Sequence, residues 1–147
     1  MGCITSSGGS TQPKRPTKLS NAGIVELRSS YDIGKLLGNG SYGKVYLATN
    51  KSNKEHKVAV KVICKTDMDE DDLESLRAEV SILQSVDHPN IVKYYETYDD
   101  NKNIYLVMEY CSGGELLDVI TTKKKNHERL TCEFMERIVR ALIHIHA

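Results

Sequence analysis

The sequence predicts an α+β fold, in which a five-stranded antiparallel sheet carries one long helix and is followed by the first helices of an incomplete helical unit. Three stretches rich in β-forming residues come first, separated by a glycine-rich turn and a polar turn. An amphipathic stretch with an acidic start then predicts the long helix. Two more β-rich stretches follow, and helical patterns occupy the remaining residues.

Residues 1–30 are predicted to form a disordered basic tail that does not pack. Residues 1–6 fit the M-G-x-x-x-[ST] pattern for myristoylation of Gly2, and the adjacent Cys3 is a candidate for palmitoylation. One acyl chain holds a protein to a membrane only marginally, whereas a second chain or a basic patch makes attachment stable. We therefore expect attachment to the cytoplasmic face of a membrane, and otherwise a cytoplasmic location. A disordered leader with a chance glycine at position 2 is the alternative.

Composition narrows the class of protein. The 20 basic and 20 acidic side chains balance, so the total charge gives no sign of a nucleic-acid partner. The four cysteines show neither pairing nor metal-ligand spacing, which is typical of a reducing, intracellular compartment. No apolar run approaches membrane-spanning length, and no signal-peptide core is present. Alternate aspartates at positions 67, 69 and 71 lack the glycine and glutamate of a calcium loop, so no metal site is predicted.

A glycine-rich stretch after the first strand, predicted for residues 31–37, indicates a phosphate site. The G-x-G-x-x-G spacing also occurs in dinucleotide-binding folds, but there a helix follows, and residues 44–49 read as a strand. The P-loop pattern fails because the residue after Lys44 must carry a hydroxyl group for Mg²⁺ and is Val45. A glycine-rich hairpin over nucleotide phosphates remains, with a hairpin that binds nothing as the alternative. Its candidate binding residues are Leu37, Gly38, Asn39, Gly40, Ser41, Tyr42, Gly43, Lys44 and Val45.

Lys61 lies in the third predicted strand, residues 58–64. Period-two geometry places Ala59, Lys61 and Ile63 on one face and Val58, Val60 and Val62 on the other. A lysine in a largely buried strand needs an anionic partner. A solvated lysine on an edge strand is the alternative.

The partner is predicted in the long helix, residues 67–86, whose acidic start suits the positive end of the helix dipole. Glu79 falls within an apolar arc of this helix, and a carboxylate inside a buried stripe requires a cation. Lys61 is the candidate cation. The alternative is that Glu79 lies at a solvent-exposed margin of the stripe. The arc consists of Leu73, Leu76, Val80, Ile82, Leu83 and Val86.

The second half of the chain predicts two strands and two helices. The strands are residues 91–98 and 104–109, joined by a polar turn. A short helix over residues 116–122 and a basic loop over residues 123–129 follow, and Thr131 is predicted to cap a helix that reaches Ala147. The apolar face of this helix is Met135, Ile138, Val139, Leu142 and Ile145.

In combination these stretches resemble the protein kinase family. The resemblance covers residues 31–147, with an amino-terminal lobe at about 31–110 and the hinge and start of the carboxy-terminal lobe at about 111–147. It implies that ATP binds with Mg²⁺, that Lys61 and Glu79 form an ion pair, and that Ala59 faces the cleft. The remaining implied contacts are Met108 as gatekeeper, the backbone of Glu109 and Cys111 on adenine, and Glu115 on the ribose or a peptide substrate. For Glu115, a carboxylate favoured by the helix dipole at a helix N-terminus is the alternative.

The stretches at residues 88–92 and 106–116 look most like calmodulin-dependent and calcium-dependent Ser/Thr kinases, and the acylatable start is similar to that of many calcium-dependent kinases. No H-R-D loop, D-F-G motif, activation loop or EF-hand is present. In the family, the first three supply the catalytic base, the Mg²⁺ ligands and much of the protein-substrate contact. One interpretation is the N-terminal part of a Ser/Thr kinase that acts in calcium signalling, inactive alone. The other is a natural short product that binds nucleotide or a partner without catalysis. The apolar pattern of the last helix is interrupted at Ala147 without a stop signal, which favours the first interpretation.

Overall fold

The computed structural model describes residues 23–40, 43–66, 68–122 and 127–146. Five strands form one antiparallel sheet in the order β1-β2-β3-β5-β4, which confirms the predicted sheet. The elements are α1 (Gly23–Ser30), β1 (Tyr31–Gly40), β2 (Gly43–Asn50), β3 (Lys57–Cys64), α2 (Glu70–Ser85), β4 (Tyr94–Asp99), β5 (Asn103–Glu109), α3 (Leu116–Thr122) and α4 (His127–Ile145).

The central strand β3 separates two hydrophobic clusters, one on each face of the sheet. Val58 and Val60 are fully buried on one face, in the cluster that includes Val107 of β5. Ile63 is buried on the other face with residues of α2 and β5. The predicted alternation of β3 is therefore confirmed, and α2 covers the face that carries Ile63.

Helix α2 is shorter and less buried than predicted. Asp69 is its N-cap and accepts a hydrogen bond from the Asp72 N–H at 2.9 Å, so the helix begins at Glu70. Only Leu76 and Val80 are buried on it, and Ile82 is 58% exposed. The prediction that Ile82 lies in the buried arc is wrong, because the helix contacts the sheet along a narrow i, i+4 stripe.

Helix α1 was not predicted. Its Leu27 is 1% exposed and lies in the cluster with Val58 and Val60. The prediction that residues 1–30 do not pack is therefore wrong for residues 23–30, because the buried leucine anchors them to the sheet. Residues 1–22, with the candidate lipidation sites Gly2 and Cys3, lie outside the described residues, and there the prediction stands untested.

Two boundaries in the second half also differ from prediction. Strand β4 begins at Tyr94 rather than at residue 91, because the chain turns after Pro89 and the Ile91 N–H bonds the His88 carbonyl at 3.1 Å. Helix α4 begins at His127, so Thr131 does not cap it, and residues 127–129 are helical rather than part of a loop. An i, i+4 ion pair between Arg129 and Glu133 stabilises this first turn.

Helix α4 presents its predicted apolar face to solvent. Each of the five residues predicted for that face is roughly half exposed, from 45% for Val139 to 52% for Met135. Among the described residues, no helix is both long enough and apolar enough to span a membrane.

Candidate functional site

A cavity of about 860 Å³ lies between the glycine hairpin, β3 and α2. It is lined by residues from both arms of the hairpin, by Lys61 and by Glu79. The predicted site residues that it brings together are Asn39, Gly40, Gly43, Lys44, Lys61 and Glu79. Ser41 and Tyr42, also predicted, lie outside the described residues.

The three glycines of the hairpin have different structural roles. Gly43 has φ of 119°, and a Cβ added there would come 2.1 Å from the Val62 carbonyl oxygen. The fold itself therefore requires glycine at position 43. Gly38 and Gly40 have no atom within 4 Å of an added Cβ, so their missing side chains leave open space in front of the backbone. That space lets a ligand approach the main chain.

Lys61 reaches the cavity from the middle of the sheet. It is half-buried and lies opposite Val45 on one side and Leu106 on the other. Ala59, two residues earlier on the same face, is 8% exposed and lies opposite Met108. The registers therefore place Lys61, Ala59 and Met108 on one face of the sheet, as predicted for Ala59 and Lys61.

Glu79 lines the same cavity as Lys61 but is exposed. The prediction that it is buried within the apolar arc is wrong, and the alternative of a wet margin describes the structure. At about 100° per residue, Glu79 lies roughly 60° from Leu76 around the helix axis, on the side away from Val80. Both side chains thus line one cavity, and the ion pair between Lys61 and Glu79 stays a prediction.

The segment after β5 lies at a second, smaller cavity. The Glu109 N–H donates to the Lys93 carbonyl at 2.8 Å, so this amide is already occupied. Glu109 and Cys111 line a cavity of about 330 Å³ together with residues of α3 and α4. Glu115 is exposed and lines neither cavity.

The remaining predicted binding residues do not line the larger cavity. These residues are Leu37, Gly38, Val45, Ala59 and Met108. The larger cavity therefore unites Asn39, Gly40, Gly43 and Lys44 of the hairpin with Lys61, whereas Gly38 and the residues assigned to adenine stay a prediction. A metal ion has no evident ligand set in the described ranges, which contain no group of three or more His, Cys, Asp or Glu side chains placed to hold one.

Seven residues that line the larger cavity were not among the predicted site residues: Tyr46, Val62, Ile63, Cys64, Met68, Leu76 and Asn103. Tyr46 follows Lys44 by two positions on β2, and period-two geometry would have placed both on one face. Met68 and Asn103 come from segments before α2 and at the start of β5, and no local pattern connects them to the glycine hairpin.

Known proteins resemble the chain over most of its described length. Residues 31–147 match the family described as protein kinase domain. Calcium-dependent protein kinase 5 of Plasmodium berghei is 42% identical over 123 residues, which are 83% of this chain and 21% of that protein. Serine/threonine-protein kinase Aurora-1 of Arabidopsis thaliana is 40% identical over 119 residues, 80% of this chain and 40% of that protein.

Myosin light chain kinase A of Dictyostelium discoideum is 37% identical over 123 residues, 84% of this chain and 41% of that protein. The chain thus spans about a fifth of the calcium-dependent relative and about two fifths of the other two. Identities between 37% and 42% to three differently named kinases indicate the family and do not select one subfamily.

Proposed function

The chain belongs to the protein kinase family, and we propose that it forms the ATP-binding part of a serine/threonine kinase. In the complete protein this part would hold ATP, with Mg²⁺, for phosphoryl transfer to a protein serine or threonine. One observation carries the proposal: Lys61 and both arms of the glycine hairpin line a single cavity of about 860 Å³.

The residues present fit the phosphate groups of ATP. Open space at Gly38 and Gly40 would let phosphate oxygens reach backbone N–H groups. Lys61 adds a positive charge on a rigid central strand, where an ammonium is suited to phosphate. The bound nucleotide supplies the γ-phosphoryl group, and these residues bind and orient it.

The base of ATP would lie toward β5. Ala59 and Met108 face each other across β3 and β5 on the cleft side, and Leu37 and Val45 lie in the arms of the hairpin. Because the Glu109 N–H bonds Lys93, the carbonyl of Glu109 and the backbone of Cys111 are the groups proposed for the adenine edge. Glu115 is proposed to bind the ribose or a peptide substrate.

Glu79 is proposed to pair with Lys61. Glu79 lines the cavity that Lys61 enters, and its helix packs on the face of the sheet that carries Ile63 and Leu106. An ion pair between the two side chains would orient the lysine on the phosphates.

Binding of ATP to the 147-residue chain, measured by titration calorimetry, tests this function. Lys61→Met should remove most of the affinity. Lys57→Met is the matched control, because Lys57 is an exposed lysine at the start of the same strand. If wild type does not bind ATP, or if both variants bind as tightly as wild type, the proposed function is wrong.

The chain alone is proposed not to catalyse transfer. Its 147 residues contain neither H-R-D nor D-F-G, so the base and the Mg²⁺ ligands of the family are absent from them. A non-catalytic product that binds nucleotide or a partner would share this property. Apart from the contact proposed for Glu115, the protein substrate is proposed to bind outside these residues.

Membrane attachment and calcium signalling complete the proposal. Gly2 and Cys3 lie in the acylation pattern of the first six residues, and basic side chains follow it. These features support a location at the cytoplasmic face of a membrane. Two relatives, from Plasmodium berghei and Plasmodium falciparum, bear the name calcium-dependent protein kinase 5, which supports a calcium-signalling role.

A further inference from the structure

Helix α1 precedes the residues that match the family, which begin at Tyr31. It packs on the face of the sheet opposite the Lys61 side chain, where Leu27 joins a cluster with Val58, Val60 and Val107. The last three side chains are fully buried, and Leu27 is 1% exposed. The helix is therefore part of the hydrophobic core of the sheet.

The first turn of α1 is fixed to the turn between β4 and β5. A Cβ on Gly23 would come 2.6 Å from the carbonyl carbon and oxygen of Asp99, so the two backbones are in direct contact. The Asp100 carboxylate accepts the Tyr105 hydroxyl at 3.0 Å and the Asn103 N–H at 2.8 Å. It also accepts the backbone N–H of Ile24.

The pKa of Asp100 reflects these contacts. Burial raises the pKa of this carboxyl, but the hydrogen bonds from the backbone and from Tyr105 outweigh burial and hold the pKa below its usual value. Asp100 is therefore ionised at neutral pH, and its charge binds the start of α1 to β5.

The last turn of α1 is fixed to the opposite end of the sheet. The Ser30 carbonyl accepts the Lys51 N–H at 2.9 Å, and the Arg28 carbonyl accepts the Lys51 ammonium. Lys51 follows β2 directly. The helix thus spans the back of the sheet from the β4–β5 turn to the β2–β3 turn.

The register of β3 and β5 connects this back face to the candidate site. Val60 lies opposite Val107 in the cluster that holds Leu27, and the next pair along the ladder is Lys61 opposite Leu106. Because successive side chains point to opposite faces, displacement of Val60 and Val107 moves the backbone from which Lys61 projects.

We propose that α1 is a functional part of the nucleotide-binding unit and that Leu27 is a positioning residue for Lys61. The inference rests on the proposed ATP binding. Docking of α1 and binding of nucleotide then favour each other, and the coupling is reciprocal.

Hydrogen exchange of the unmodified 147-residue chain tests the coupling without a variant. Saturation with ATP should slow exchange at the amides of residues 27–30 by roughly fivefold or more, the lower end of typical coupling between sites. Slower exchange in β3 with no change in α1 would overturn the inference.

Variants test the positioning role. Leu27→Ala should weaken ATP binding roughly tenfold, and the conservative Leu27→Met should restore it, each measured well below the unfolding midpoint. Val25→Ala is the matched control on the same helix, because Val25 is 67% exposed. Gly23→Ala should also weaken ATP binding, without leaving a void in the hydrophobic core, because the added Cβ displaces the first turn of α1.

The outcomes separate the two proposals. Failure of wild type to bind ATP would refute the proposed function and this inference together. Normal binding by wild type, with unchanged affinity in Leu27→Ala or Gly23→Ala despite a lower unfolding midpoint, would refute only the positioning role. If Leu27→Ala does not fold, Gly23→Ala and the exchange experiment decide.

Discussion

Replacement of Gly43 by alanine should destabilise the protein far more than replacement of Gly38, although both glycines belong to one pattern. Gly43 has φ of 119°, and an alanine Cβ would come 2.1 Å from the Val62 carbonyl oxygen and 3.1 Å from its carbon. A non-glycine residue in a sparsely populated backbone region costs on the order of 1–3 kcal/mol. Relief of the contact would also separate β2 from β3 and weaken hydrogen bonds worth about 1 kcal/mol each.

Gly43→Ala should therefore lower the free energy of unfolding by about 3 kcal/mol. Gly38→Ala should change it by less than about 0.5 kcal/mol, because an added Cβ meets no atom within 4 Å. The same Gly38→Ala variant should weaken ATP binding, since the methyl group occupies the space proposed for phosphate.

Urea unfolding followed by circular dichroism measures both free energies, and thermal unfolding should show a midpoint lower by roughly 10 °C for Gly43→Ala. Gly40→Ala is a second control, because its added Cβ also faces open space. A loss of stability in Gly43→Ala no larger than in these two controls would refute the conclusion that the fold requires this glycine.

Three further predictions concern the Lys61–Glu79 ion pair, phosphoryl transfer by the chain alone and acylation of the amino-terminal tail. In a double-mutant cycle on ATP affinity, Lys61→Met and Glu79→Gln should be strongly non-additive, because both act through one interaction; simple additivity would count against the pairing. Purified chain 1–147 should not phosphorylate a basic Ser/Thr peptide with Mg-ATP, and turnover that Lys61→Met abolishes would mean that catalytic residues are present after all. In cells, Gly2→Ala should move the protein from membrane to soluble fractions, and an unchanged distribution in fractionation would exclude acylation as the anchor.

The sheet could be predicted because its signals are local. The valines of β3 alternate with Ala59, Lys61 and Ile63, and polar or glycine-rich turns bound the strands. Helix α3 was predicted with its observed bounds. In contrast, α1 has eight residues and one fully buried leucine, too short a pattern to indicate a helix. Such a helix is stabilised by tertiary packing rather than by its own sequence.

The burial of α2 could not be predicted from its apolar arc. The arc includes Leu76, Val80 and Ile82, but only the sheet determines which of them is covered, and Ile82 is left 58% exposed. The same geometry places Glu79 in solvent at the edge of the cavity. The glycine pattern predicted the phosphate site. Only the close approach of Gly43 to the Val62 carbonyl distinguishes this structural glycine from Gly38 and Gly40.

The difference in affinity between ATP and adenosine tests the central claim most directly, because it isolates the contribution of the phosphate groups. Calorimetry on the 147-residue chain should show ATP binding at least about tenfold more tightly than adenosine, as a charge-assisted hydrogen bond of roughly 1.5–3 kcal/mol would produce. Lys61→Met should remove most of this preference and leave adenosine binding unchanged. Equal affinities in wild type, or a preference for ATP that survives Lys61→Met, would contradict the assignment of this cavity to phosphate.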